Sequence, residues 1–313
     1  MSNFLIISTL PPPIGGVSIH TQRLLLFLKK NNFNYTFYDY KNSSFINGLK
    51  LFLKAKMIHI HASNQIFIFL ISFFSFILWK KIIITVHGEY NCRGWFLNFL
   101  ESMSMIISSA PILLNETDYD KVKILNKKSL IITSFIPPMD KQDLSIDITN
   151  KIIDIKKWTK SVFCTNAYRL RFDINGNEVY GIKELINFFN NNIDFGFVLS
   201  DPSGEYNSYI NSNNIKLNSN IIIIANNHSF FKVLELSDCF IRNTTTDGDS
   251  ISIREALFLN RKTFATDCVQ RPNGVNILTN LSILTEDYSN DNLTTNHMQP
   301  NGAEDLLMLY KTI

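Results

Sequence analysis

The sequence predicts an α/β protein built from two doubly wound, parallel-sheet domains. Short runs of Ile, Leu, Val and Phe alternate with amphipathic stretches of helical length from end to end. Several of the apolar runs end in a turn that carries Gly, His or Arg, where such sheets bind ligands. At 313 residues, 45% of them hydrophobic, the chain can also fill two cores.

In the first half, Phe4–Ser8 reads as a strand. Pro11-Pro12-Pro13-Ile14-Gly15-Gly16 follows as a rigid loop, and Val17–Lys30 as a helix with Ile19, Leu24, Leu25 and Leu28 among its apolar positions. Tyr35–Tyr40 is a strand and Asn47–Lys56 an amphipathic helix. Met57–Ala62 is a strand, followed by the most apolar run, Ile66–Trp79. Its 14 residues fall short of the roughly 20 needed to span a bilayer, so a buried helix is expected ahead of a membrane-dipping one. Strand Ile82–Val86 ends in His87-Gly88. A helix at Trp95–Met105, a strand at Ile112–Leu114, a helix at Thr117–Leu125 and a strand at Ser129–Ile132 complete the domain. The Pro-containing, polar stretch from about 133 to 147 reads as a linker, dividing residues 1–147 from 148–313.

The second half has the same rhythm. Lys151–Lys157 reads as a short opening helix and Val162–Thr165 as a strand, and a polar loop then runs through Arg169 and Arg171 to Gly181. Helices at Ile182–Asn190, Glu205–Asn211 and Ser229–Leu236 alternate with strands at Phe195–Leu199, Ile221–Ala225 and Cys239–Arg242. Thr244–Leu257 then leads from a strand through a Gly-containing turn into a helix that ends near Leu259. Strand Thr263–Thr266 and a helix at Asn301–Lys311 follow.

Composition narrows the function. A net charge of +3 is too small to argue for nucleic acid. Residues 21–60 nevertheless hold seven Lys/Arg against one acid, Asp39, a basic face suited to anionic lipid or substrate and equally to plain solvation. Cys92, Cys164, Cys239 and Cys268 form no Cys-x-x-Cys pair and no zinc pattern; reduced thiols are expected. Met1–Leu10 lacks the basic leader of a signal peptide, which fits a cytoplasmic protein.

The turn at 244–257 carries the chemistry. A helix beginning near Ser250 or Ser252 presents free N–H groups and the positive dipole end to an anion such as phosphate. Glu255, one turn in, can take two ribose hydroxyls on its two oxygens, and Asp247, ahead of the helix, can meet a sugar hydroxyl. Ser252-Ile253-Arg254-Glu255 also fits a plain capping box. Asp247-Gly248-Asp249 is a D-x-D pattern that could hold a divalent metal, but a helix N-terminus already neutralises phosphate, and no metal is expected. Arg169, with Arg171 and Lys183 as alternatives, can bind a diphosphate and stabilise a leaving group. Gly15-Gly16 permits close backbone approach, and His87 at a strand end can bond a sugar hydroxyl.

In this order the residues resemble the family 4 glycosyltransferases over nearly the whole chain. The carrying motifs are P-P-P-I-G-G-V-S, I-T-V-H-G, N-A-Y-R-L, Y-G-I-K-E-L-I, and an acid followed after seven residues by Glu-Ala, here Asp247 to Glu255-Ala256. The resemblance implies the GT-B fold, two Rossmann-like domains facing a central cleft: an N-terminal acceptor domain and a C-terminal nucleotide-sugar domain. It implies retaining sugar transfer from a nucleotide-diphosphate sugar, without metal or cofactor. The acceptor it implies is a lipid-linked glycan of surface polysaccharide or O-antigen synthesis at the cytoplasmic face of the inner membrane. Glu255 would hold the ribose, Asp247 the donor sugar, and the backbone of Gly248, Asp249, Ser250 and Ile251 the sugar hydroxyls and diphosphate. Arg169 would bind the diphosphate, Gly15 and Gly16 would line the phosphate or acceptor side, and His87 would touch the transferred sugar. The chain departs from the family pattern in three places. Asp247 replaces a Glu, Tyr180 replaces a Lys whose cation Lys183 or Arg171 would supply, and the chain ends after one terminal helix. A GT-B nucleotide-sugar epimerase and a non-catalytic nucleotide-sugar-binding module are the rival readings.

Overall fold

The computed structural model describes residues 3–12, 15–140, 143–173, 175–247, 249–286 and 299–313. Pro13 and Ile14 of the Gly-Gly loop, and Gly248 of the acidic turn, lie outside the described residues. The chain divides into two compact units, residues 1–139 with 300–313, and residues 140–299.

Unit 1 runs β1 (Phe4–Ser8), α1 (Gly16–Lys30), β2 (Thr36–Asp39), α2 (Phe45–Lys54), β3 (Met57–Ala62), α3 (Gln65–Ile77), β4 (Lys81–Val86), α4 (Trp95–Ile107), β5 (Ala110–Leu113), α5 (Glu116–Leu125) and β6 (Leu130–Ile131). Its sheet is parallel with order β2-β1-β3-β4-β5-β6. Strand side chains alternate between two cores. Leu5 and Ile7 pack with Phe52, Ile68, Met105 and Val122 of α2 to α5. Phe4 and Ile6 pack with Leu24, Phe27 and Leu28 of α1 on the other face.

Unit 2 runs α6 (Ile146–Lys156), β7 (Ser161–Asn166), α7 (Ile182–Asn191), β8 (Phe195–Ser200), α8 (Glu205–Ser212), β9 (Ile221–Ile224), α9 (Phe230–Leu236), β10 (Cys239–Arg242), α10 (Ile251–Phe258), β11 (Lys262–Ala265), β12 (Val275–Ile277) and α11 (Ile283–Glu286). Its order is β12-β11-β10-β7-β8-β9. Counted within the unit this is 6-5-4-1-2-3, the doubly wound order, and it reverses between β7 and β10.

The final helix, α12 (Gly302–Thr312), belongs to unit 1, whereas the sequence reading assigns it to the second domain. Ala303, Leu306, Leu307 and Tyr310 bury against Phe4, Ile6 and the α1 leucines. Each large side chain so buried is worth roughly 1.5–3 kcal/mol. Its entry is tight: Gly302 N–H donates to the Phe135 carbonyl at 2.8 Å, and a Cβ on Gly302 would stand 2.0 Å from the Thr133 carbonyl oxygen. Gly302→Ala should therefore destabilise unit 1 by about 1–3 kcal/mol, as for other overpacking changes, and lower its thermal midpoint. An unchanged midpoint would show that α12 can slide outward at no cost.

Three further expectations change. The stretch 133–147 is not a free linker: Thr133, Ser134, Phe135 and Ile136 are buried in unit 1. The opening helix of unit 2 starts at Ile146, capped by Ser145 rather than beginning at Lys151. α3 is not a buried helix. It buries Gln65, Ile68, Ser72 and Ser75 and exposes Ile66, Leu70, Phe73, Phe74, Phe76 and Ile77. The small serines allow α4 to pack close, their hydroxyls donating back to the carbonyls of Ile68 and Ile71. Among the described residues no helix is long and apolar enough to cross a membrane.

Candidate functional site

The reversal point of unit 2 puts the turns after β7 and β10 side by side at the carboxyl edge of its sheet. Arg242, the last residue of β10, joins them, with Nη1 donating to the Asn166 carbonyl at the end of β7 (3.3 Å). The same guanidinium forks onto Asp247, Nε to Oδ2 at 3.0 Å and Nη2 to Oδ1 at 2.9 Å. A second guanidinium, Arg271, donates from Nη1 to Asp247 Oδ2 at 2.9 Å and from Nε to the Thr266 carbonyl at 2.7 Å. The Asp247 side chain is 7% exposed and that of Arg271 3%. Burial alone would raise the Asp247 carboxyl, but the two arginines outweigh it and hold the pKa below its ordinary value. Arg242 also lies over the Tyr180 ring, 5.2 Å from its centroid, so this ring supports a cation here.

An ionised carboxylate offers about four lone-pair sites. Three of those on Asp247 are taken by the arginines, which leaves one on Oδ1 for a hydroxyl. Asp249 is paired too, accepting from Arg254 Nε at 2.6 Å. The D-x-D acids are therefore engaged by guanidinium groups, an arrangement that opposes their use as a metal clamp.

α10 starts at Ile251 with Ser250 as N-cap, and the Ser250 side chain makes no capping hydrogen bond. The capping-box reading of Ser252 and Glu255 does not describe this terminus, because Ser252 sits inside the helix. Glu255 is 4% exposed. The contrast with α7 is direct. There Glu178 accepts from the N–H groups of Ile182 and Lys183 at 2.9 and 3.0 Å, and from the Tyr206 hydroxyl, so that helix start already carries its own carboxylate. Gly181 precedes it with φ of +59°, and a Cβ there would meet Asn243, so Gly is required. Arg169, three residues beyond β7, and Lys183, in the first turn of α7, are both exposed and make no ion pair among the described residues.

In unit 1 the sheet order reverses between β1 and β3. Gly15 is the N-cap of α1, in extended conformation with open space where a Cβ would stand, and Gly16 is the first helical residue. His87 follows β4, with Nε2 3.0 Å from His61 Nδ1. A small pocket at this edge is lined by Ala62, Ser63, His87, Gly88, Arg93 and Glu101, and Arg93 pairs with Glu101 at 3.3 Å.

The structure thus gathers Asp247, Asp249, Ser250, Ile251 and Glu255 around one helix start, with Arg169 on the adjoining turn; Gly15, Gly16 and His87 lie at the carboxyl edge of unit 1. Sequence reasoning missed Arg242 and Arg271, whose partner lies 5 and 24 positions away. It also missed His20, His59 and His61. The pattern H-I-H in β3 was the available signal, since residues two apart on a strand share a face.

No protein-family model and no curated protein matches the chain. Solved structures do. HepE of Anabaena, in complex with UDP and glucose, is 9% identical, with 100% of each chain covered and a TM-score of 0.66. The catalytic domain of starch synthase IV from Arabidopsis thaliana, bound to ADP and acarbose, is 11% identical over 98% of this chain and 97% of that one, with a TM-score of 0.62. The fold is GT-B. The UDP-GlcNAc 2-epimerase from Neisseria meningitidis, bound to UDP-GlcNAc, shares it at 13% identity, 99% and 100% coverage and a TM-score of 0.57. At such identities the likeness to these GT-B proteins carries the fold alone.

Proposed function

We propose that this GT-B protein is a retaining glycosyltransferase that moves a sugar from a nucleotide-diphosphate donor to a hydroxyl of a lipid-linked glycan at an anionic membrane surface. The observation that carries the donor half is the α10 terminus. It has no side-chain cap, stands at the reversal point of unit 2, and begins four residues beyond Asp247, which with its two partners Arg242 and Arg271 makes a trio of charge +1. Backbone around 248–251 and Arg169 neutralise the departing diphosphate, with Lys183 as a second cation. Glu255 takes the ribose hydroxyls, and Asp247 uses its remaining lone pair on the sugar. Gly15 and Gly16 offer backbone to phosphate or acceptor, and His87 contacts the transferred sugar. The bond to the diphosphate breaks as the acceptor oxygen bonds to the same face; no metal is assigned to this step. Bound UDP, ADP or UDP-sugar in the structural neighbours supports a nucleotide-sugar donor.

The acceptor half rests on unit 1. Helices α2, α3 and α4 share one face of its sheet and expose Phe45, Leu53, Phe74, Phe76, Trp95 and Phe96, with Trp79 fully out. Residues 41–88 contain Lys41, Lys50, Lys54, Lys56, Lys80 and Lys81 and no Asp or Glu. An apolar, basic face of this kind fits a bilayer with anionic headgroups, and hence a bilayer-borne acceptor.

Two of the features, the fold and the donor site, suit an epimerase equally, and 2-epimerases are among the structural neighbours. Incubation with a panel of nucleotide sugars, with and without lipid-linked glycans in vesicles, separates them. Transfer predicts nucleoside diphosphate and a heavier glycan only when acceptor is present. An isomerised donor formed without acceptor would replace this reading by the epimerase. Glu255→Ala should weaken nucleotide binding by roughly 10- to 100-fold, the size expected on losing hydrogen bonds to a charged group, as read by calorimetry. Unaltered affinity would remove Glu255 from the site.

A further inference from the structure

Unit 1 contains a group of histidines, two buried and one half-buried, that the proposed transfer does not use as a group. His20 comes from the second turn of α1, His61 from β3, and His87 from the turn after β4. One ring nitrogen from each lies within 4.8 Å of the others. The rings also approach pairwise, with centroids 5.0 Å apart for His20 and His61 and 5.2 Å for His20 and His87.

The His20 tautomer follows from its partner. His20 Nδ1 is 2.7 Å from the Ser134 carbonyl, which can only accept, so Nδ1 carries the proton and Nε2 a lone pair. A carbonyl behind one ring nitrogen is the usual way a ligating imidazole is oriented. His61 and His87 face each other nitrogen to nitrogen at 3.0 Å, and His61 Nε2 is buried without a hydrogen-bond partner. His59, the neighbour behind His61, is engaged at both nitrogens, with Thr85 Oγ1 at 2.8 Å and the Tyr310 hydroxyl at 2.5 Å, and so serves as a wall.

We propose that His20, His61 and His87 form a binding site for a transition-metal dication such as Zn²⁺. Imidazole suits Zn²⁺, Cu²⁺ and Ni²⁺, and a donor set without carboxylate disfavours Mg²⁺ and Ca²⁺. Tetrahedral bonds of 2.0–2.1 Å require ligand nitrogens roughly 3.3 Å apart. His61 Nδ1 and His87 Nε2 already stand 3.0 Å apart and ligate together in the tautomers that carry the ring protons on His61 Nε2 and His87 Nδ1; the third nitrogen needs a shift of at most about 1.5 Å, within reach of ring rotation. Three protein nitrogens leave the fourth position for water or a hydroxyl. The site is distinct from the donor site of unit 2 and does not rest on it. With metal bound, the His87 nitrogen that ligates is withdrawn from sugar contact.

The test uses the full chain, stripped with a chelator and dialysed. Zn²⁺ titrated by calorimetry should bind one to one, and Co²⁺ should give the intense visible bands of a four-coordinate nitrogen-rich site. His20→Asn and His61→Asn, checked for native circular dichroism, should each weaken binding by more than the roughly 10- to 100-fold that loss of an outer-shell partner costs. His228→Asn in unit 2 should leave it unchanged. In the wild type, Zn²⁺ should shift the nitrogen resonances of three histidines, a readout that does not need the variants to fold. Absence of stoichiometric binding, octahedral Co²⁺ spectra, or full affinity in a folded His61→Asn protein would overturn the proposal.

Discussion

Replacing Asp247 by Ala is expected to destabilise unit 2 by about 3–5 kcal/mol, the cost of stranding buried charge. Two guanidinium groups, one 12% and one 3% exposed, would lose the carboxylate they share. The denaturant midpoint should fall with little change in slope. Asp247→Asn keeps the shape and loses the charge. It should spare nucleotide binding, because Glu255 and the α10 terminus are untouched, while transfer falls by roughly 100-fold or more, the size of losing one oriented electrostatic contact. Normal transfer in a folded Asp247→Asn protein would take Asp247 out of the reaction. The interaction also has a pH signature. The folded pKa is depressed below the ordinary 3.8. Its stabilisation is therefore complete above that value and disappears as pH falls below it through the folded pKa. Acid unfolding below about pH 4 should be less steep in Asp247→Ala than in the wild type. Parallel acid limbs would mean that the arginines do not discriminate between the charged and neutral acid.

The second large effect is expected at the apolar face of unit 1. Phe76, Trp79 and Trp95 are 61%, 96% and 83% exposed, so replacing all three by Ser removes little packing from the fold. On a bilayer each would lose about 1.5–3 kcal/mol of transfer free energy, and vesicle partition should drop by more than about 100-fold. Lys50→Ala with Lys54→Ala should weaken binding to anionic vesicles by roughly 1 kcal/mol per charge, and leave uncharged vesicles unaffected. Flotation with vesicles of both compositions reads both effects. Equal partition of the triple variant and the wild type would remove the membrane from the proposal without touching the donor site.

The sheets were largely legible because a parallel strand buried on both faces is an unbroken apolar run, as in Ile82–Val86 and Phe195–Leu199. β12 was missed: Val275–Ile277 is a three-residue edge strand without such a run. α3 misled for the opposite reason. Where almost every residue is apolar, the pattern has no contrast, and only Ser72 and Ser75, three apart, betray the inward face. The unit boundary escaped because Phe135 and Ile136 stand in a Pro-containing stretch, and their burial depends on a helix more than 160 positions later. At the proposed donor site the helix start and Glu255 could be read locally. The arginines around Asp247 could not, since their pairing exists only once β10 and the turn after β11 are side by side.

The place of α12 in unit 1 bears on how the protein is made. The ribosome releases residues 140–299, a contiguous and self-contained sheet, before it releases 300–313. Until then Phe4 and Phe33 lack the Tyr310 ring that packs on them, and His59 lacks its hydroxyl partner. The half that is synthesised first is thus the half that finishes last, and its exposed aromatics wait beside an incomplete core throughout synthesis of the other.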